Sequence, residues 1–229
     1  MSTILIHDYE TTGVGVKKDR PVQIGVCDGN GRIMMNTLCN PCMEIAEGAA
    51  RVHGITAQHV AEFPDYLIAL WSQLHLFKSF EDPIISGFNT SMFDNRMFEE
   101  CLGHKPLHGF RTLDVMDVIY RHYPDLEQKK LSQLHEQFLK RPLVGAHGAI
   151  QDCLGTAAVL EYICEDVGKS PDQLSKELET EQVYSVMPIG KYRGYGVEDV
   201  PKSWANWMSN NATDMRPDLE ATVEYVLNS

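Results

Sequence analysis

Short apolar runs divided by turns open the chain, and helical spacing takes over near residue 56. Thr3-Ile4-Leu5-Ile6-His7 and Gln23-Ile24-Gly25-Val26-Cys27 read as strands. Asp28-Gly29-Asn30-Gly31 is a turn, and Arg32 to Leu38 reads as a third strand. Together they predict an antiparallel meander. Leu67, Leu70, Trp71, Leu74 and Phe77 recur at helical intervals and predict a helix over 56–79. Pro83 to Phe88 reads as another strand, and helical patterns follow at 92–102, 112–122, 129–139 and 148–166. Ser170-Pro171-Asp172-Gln173 joins an N-cap, a first-turn proline and a capping-box glutamine, predicting a helix over 171–181. Strands first, then helices alternating with short strands, predict an α/β fold on a mixed sheet.

The composition changes at Tyr184, where Gly-rich, basic sequence begins. Three parts are expected: a main domain over 1–168, a helical connector over 169–183 and a small C-terminal domain over 184–229. The last is near the size below which a unit needs outside help to fold, so it should pack on the rest. Trp204 and Trp207, at i and i+3, should anchor it there, with base stacking as the alternative. With 43% hydrophobic and 23% charged residues the chain matches an ordinary globular protein, which excludes disorder. No run approaches the ~18 apolar residues of a membrane span. The N-terminus lacks a basic leader and a cleavage site, so a cytoplasmic protein with no membrane partner is expected. Cys39 and Cys42 form a C-x-x-C with no second ligand pair, so the six cysteines are expected to be reduced, buried thiols.

Three motifs carry chemistry. Asp8-Tyr9-Glu10 places two carboxylates at i and i+2, on one face of a strand. Like charges that close call for a compensating cation, and hard oxygen donors suit Mg²⁺ or Mn²⁺. Asp94 lies in the first turn of a predicted helix, where it complements the helix dipole. His147 sits between Gly145 and Gly148, and Asp152 lies on the apolar helix that follows, where a carboxylate needs a partner. Taken singly, each has an ordinary structural explanation: a solvated strand end, an N-terminal acid, a structural histidine.

The set, in this order, resembles the DnaQ-like 3′→5′ exonucleases with a DEDDh catalytic set. Glu10-Thr11-Thr12-Gly13, Val52-His53-Gly54-Ile55-Thr56 and Leu113-Asp114-Val115 through Tyr123-Pro124 agree with it. The tail motifs Ile189-Gly190-Lys191-Tyr192-Arg193-Gly194, Val197-Glu198-Asp199-Val200, Trp207 and Pro217-Asp218-Leu219 are similar to those of its exodeoxyribonuclease X branch. The resemblance implies an RNase H-like mixed sheet flanked by helices, plus the small C-terminal appendage. It implies two divalent cations, Mg²⁺ or Mn²⁺: one on Asp8, Glu10 and Asp152, the other mainly on Asp8 with Asp94 helping through water. His147 would be the general base.

Thr11, Thr12, Val14, His53, Ile55 and Asn89 are the candidate substrate contacts, Val14 as an apolar wedge against the terminal base. Gly15 departs from a polar residue in the exodeoxyribonuclease X branch, which puts end preference in doubt. The partner implied is a DNA 3′ end, single-stranded or duplex, in a bacterial cytoplasm and encoded by host or phage. RNA, a non-catalytic binding role and a homodimer stay open. The formal charge of −12 opposes a passive nucleic-acid binder. Two divalent ions would offset four negative charges and leave −8. A local basic patch is therefore expected from Lys17, Lys18, Arg20, Lys191 and Arg193.

Overall fold

The computed structural model describes residues 2–127, 129–145, 147–212 and 214–229. Its frame is a five-stranded sheet in the order β3-β2-β1-β4-β5. The strands are β1 (Ile4–Thr11), β2 (Pro21–Asp28), β3 (Ile33–Leu38), β4 (Ile84–Gly87) and β5 (Arg111–Asp114). The first three form the expected antiparallel meander, while β4 lies parallel to both β1 and β5. β1 is central and covered on both faces, which suits its nearly unbroken apolar start.

Alternation along β1 sorts its side chains. Leu5 and Tyr9 face α3 (Tyr66–Lys78) and α4 (Asp94–Leu102), packing with Leu70, Leu74, Phe77, Met97 and Phe98. Ile6 faces the other way, onto Ile150, Cys153 and Ala157 of α7 (Ala149–Val167). Asp8 and Glu10 continue the Ile6 face, two and four residues on. The remaining helices before the tail are α1 (Glu47–His53), α2 (Ala57–Val60), α5 (Val115–His122), α6 (Leu131–Leu139) and α8 (Pro171–Leu178).

Several boundaries differ from the sequence reading. The helix over 56–79 is two helices, α2 and α3, interrupted around Pro64; Asp65 then caps α3 by accepting from the Leu67 amide at 2.7 Å. The segment 112–122 begins as strand β5, and Asp114 starts α5 by accepting from the Met116 amide at 2.9 Å. Helix α1 had no predicted counterpart: it has no buried residue, so it carries no apolar stripe to read. All six cysteines are free, but Cys42 is exposed rather than buried and its thiol donates to Asp65.

Residues 184–229 gather their own apolar cluster around Met187, Ala205 and Val223, with Tyr120 of α5 packed against it. It contains α9 (Lys202–Asn211) and α10 (Pro217–Asn228). Trp204 packs inside this cluster beside Tyr192, and Trp207 is 56% exposed, so neither tryptophan anchors the tail to the sheet domain. Beyond the Tyr120 contact, that attachment is polar. Arg121 of α5 meets Asp218 at 2.6 Å with both side chains buried, and Arg216 reaches Asp114 at 3.2 Å. None of the described helices is long and apolar enough to cross a membrane.

Candidate active site

The site forms where the end of β1 meets the start of α7. Asp8 pairs with Gly25 and Glu10 with Gln23 across the antiparallel ladder. A side chain at Gly25 would lie 2.6 Å from the Ala149 backbone, so this glycine lets α7 approach the sheet. Gln23 accepts from the Ala149 amide at 3.2 Å and fixes the helix entrance. Asp152, one turn in, is thereby brought to the β1 carboxylates. Oxygens of Asp8, Glu10 and Asp152 lie within 4.8 Å of one another.

Asp94 enters from α4. Its Oδ1 accepts the Tyr9 amide at 3.0 Å, directly between Asp8 and Glu10 in sequence, and the residue is 4% exposed. Burial weighs on all four acids, and like charge on Asp8, Glu10 and Asp94 as well. Asp8 is held well above the usual carboxylate range by burial, then by Asp94, Asp152 and Glu10. Burial pushes Glu10 up to about 7, with Asp152 adding to it. Burial also pushes Asp94 up to about 8, although the Tyr9 amide works against it. Asp152 is raised by burial and lowered in part by the backbone amide and charge of His147. Among the described residues, no lysine or arginine pairs with any of the four. Clustered hard oxygens without an internal cation fit a divalent metal ion.

His147 is exposed, with φ of 69°, a left-handed conformation uncommon outside glycine. It stands next to the helix that bears Asp152, on a loop that begins at the left-handed Gly145.

The substrate candidates divide into two groups. Val14 is 92% exposed at the tip of a loop whose Thr12 hydroxyl and Gly15 amide both donate to Asp19. His53 links that loop to the carboxylate strand. Its Nδ1 accepts from the Ile55 amide at 3.0 Å, which leaves Nε2–H to donate to the Thr11 carbonyl at 3.1 Å. Burial lowers its pKa. Thr11, Thr12, Val14 and His53 thus surround one end of β1. Ile55 is buried against Val22, Ile45 and Val60 and acts as core. Asn89 is turned toward the tail, where its side-chain oxygen accepts from Arg216.

Of the expected basic patch, Lys17 and Lys18 are exposed. Arg20 instead lies over the Tyr66 ring and donates to the Pro41 carbonyl, and Arg193 donates to the carbonyls of Leu126 and Glu127. Both guanidinium groups brace the fold. A groove of about 560 Å³ beside His122 to Glu127 contains none of the four carboxylates. The sequence reading passed over His7, which is fully buried, bonds to Asn95 at 2.8 Å and is lowered by burial to about 4. Its position before the D-x-E motif was the available signal. It also passed over Arg216, discussed below.

Residues 5–160 match the family model described as Exonuclease, RNase_T. The chain belongs to this exonuclease family. Exodeoxyribonuclease 10 of Escherichia coli strain K12 is 26% identical over 97% of both chains, and so is the same enzyme of strain O6:H1. The fold matches E. coli exonuclease I solved with a dA16 oligonucleotide: TM-score 0.63, 22% identity, 79% of this chain and 44% of that one. A zinc-bound exonuclease I complex with single-stranded DNA gives the same TM-score and identity. The five-stranded mixed sheet flanked by helices is therefore the RNase H-like fold. This chain spans less than half the length of those solved structures.

Proposed function

We propose that this exonuclease removes nucleoside 5′-monophosphates one at a time from DNA 3′ ends, using two Mg²⁺ or Mn²⁺ ions. One observation carries the reading. Three carboxylates from β1 and α7 meet within 4.8 Å, in a partly buried place, with no internal cation among the described residues. The kinship to exodeoxyribonuclease 10 along almost the whole chain supports DNA as substrate and a strand end as the point of attack.

Divalent cations, when bound, would supply Lewis acidity and offset the charge of the phosphodiester. Asp8, Glu10 and Asp152 would hold them, and Asp94 would complete the set from the position the Tyr9 amide gives it. His147 accepts the proton of the attacking water. The water oxygen bonds to phosphorus as the P–O3′ bond breaks; O3′ takes a proton from solvent, which leaves a 5′-monophosphate and a strand one nucleotide shorter with a new 3′-hydroxyl. Val14 packs against the terminal base, and the Thr11 backbone meets the terminal 3′-hydroxyl. The exposed loop position of Val14 supports that role.

The test is digestion of a 5′-labelled single strand in Mg²⁺, as DNA and as RNA of the same sequence, beside a 5′-labelled duplex. A ladder shortening by single nucleotides from the 3′ end of DNA is the expected result. Faster trimming of RNA would transfer the reading to an exoribonuclease. No degradation of any substrate would leave a binding module.

A further inference from the structure

We propose that Arg216, supplied by the tail, is a positioning residue for Asp94; this rests on the reading of Asp94 as part of the active centre. Its guanidinium is buried where three segments meet. One nitrogen donates to Ser91 Oγ at 3.1 Å, Asp114 Oδ2 at 3.2 Å and Asp117 Oδ1; the other donates to Asn89 Oδ1. Only a planar fork spans such a set, and a lysine ammonium cannot serve both edges at once.

The contacts lead to the active centre through one short turn. Asn89 has a left-handed backbone, φ 63°, and the amides of Asn89 and Ser91 both donate to Asp114, at 2.8 and 3.0 Å. Thr90, between them, is buried, and its carbonyl accepts from the amides of Phe93 and Asn95. Those residues flank Asp94. A side chain at Gly87 would lie 2.2 Å from Thr90 and 2.6 Å from the His7 carbonyl, so the turn is seated tightly on β1 as well. The turn that Arg216 grips is therefore the one that sets where α4 starts and where Asp94 points.

Two observations separate this from simple docking of the tail. An arginine beside the N-terminus of α10 faces the positive end of that helix, an unfavourable place for a cation unless another element needs it. The tail also grips the far side of Asp94: Arg96 of α4 pairs with Asp214 at 2.7 Å. The segment carrying Asp94 is thus held by the tail both before and after that residue.

The experiment uses the full chain as wild type, Arg216→Ala, Arg216→Lys and Asn89→Gly. Asn89→Gly removes the acceptor and tolerates the left-handed backbone. Each is assayed for melting temperature, for Mn²⁺ binding by calorimetry, and for kcat and KM on a 5′-labelled single strand. Arg216→Ala should weaken the Mn²⁺ dependence about 10–100-fold, the usual effect of losing a group that orients a ligand. It should lower kcat and leave KM for DNA within about threefold. Arg216→Lys should recover melting temperature but not Mn²⁺ affinity, and Asn89→Gly should move Mn²⁺ affinity in the same direction as Arg216→Ala. Folded Arg216→Ala with wild-type Mn²⁺ affinity and kcat overturns the proposal. Should that variant fail to fold, wild-type Mn²⁺ affinity in Asn89→Gly overturns it instead. A wild type with neither Mn²⁺ binding nor nuclease activity overturns the reading of the site, and this proposal with it.

Discussion

Two groups of largely buried acids, one within the sheet domain and one shared between it and the tail, are treated in opposite ways. At the tail joint, Asp114, Asp117 and Asp218 each face an arginine: Arg216 meets the first two and Arg121 the third. Asp114 also accepts from two amides of the turn, from Ser91 Oγ and from the start of α5. At the end of β1, Asp8, Glu10 and Asp152 crowd together beside Asp94, with no such cation among the described residues. Backbone amides meet Asp94 and Asp152 there, and little else offsets the charge. The first arrangement has its charges balanced within the protein. The second lacks a counter-charge within the protein, and on the proposed reading a divalent cation supplies it.

Breaking each side of this comparison should give different signatures. Asp8→Asn should remove the central member of the open cluster and bring nuclease activity to background in a labelled-DNA assay. His147→Ala spares the carboxylates and should lower kcat by about 10²–10⁴-fold, the range for a lost general base. A loss of only a few-fold would remove His147 from that role. Arg121→Ala belongs to the other joint. Leaving Asp218 buried without its partner should cost about 3–5 kcal/mol in urea unfolding. A cost near zero would mean that the Arg121–Asp218 pair contributes nothing to the fold.

The pH response sharpens the same contrast by a smaller amount. Glu10 at about 7 and Asp94 at about 8 are both raised by burial above ordinary carboxylates. A raised carboxylate keeps its proton in the folded state while the unfolded chain has lost it. Metal-free protein should therefore lose stability as pH rises from 5 towards 8. Metal binding displaces those protons, so Mn²⁺ affinity should rise over the same range. A metal-free melting temperature that climbs from pH 5 to 8 would contradict the crowding argument.

Much of the site was legible in the sequence because strand geometry is local. Period-two alternation put Asp8 and Glu10 on one face without knowledge of the fold, and the apolar neighbours of Asp152 marked its helix as buried. The rest depended on contacts distant in sequence. Asn89 looked like a substrate contact beside Asp94, but its oxygen is committed to a residue 127 positions away. Arg20 and Arg193 looked like phosphate ligands, but backbone carbonyls hold them. Their charge could be read from the sequence; what they touch could not. The failed helix over 56–79 is different: Pro64 and Asp65 were a visible stop and restart, outweighed by the apolar spacing that followed.

The most direct measurement of the contrast is thermal melting at pH 8 of wild type and Asp8→Asn, each with and without Mn²⁺. A ligand that binds only the folded state stabilises it in proportion to the logarithm of its concentration over Kd. Without metal, Asp8→Asn should melt above wild type, because one of the crowded charges is gone. With Mn²⁺, wild type should gain several degrees and Asp8→Asn little. Equal gains in the two proteins, or none in wild type, would contradict the claim that the open carboxylate cluster is built to receive a cation.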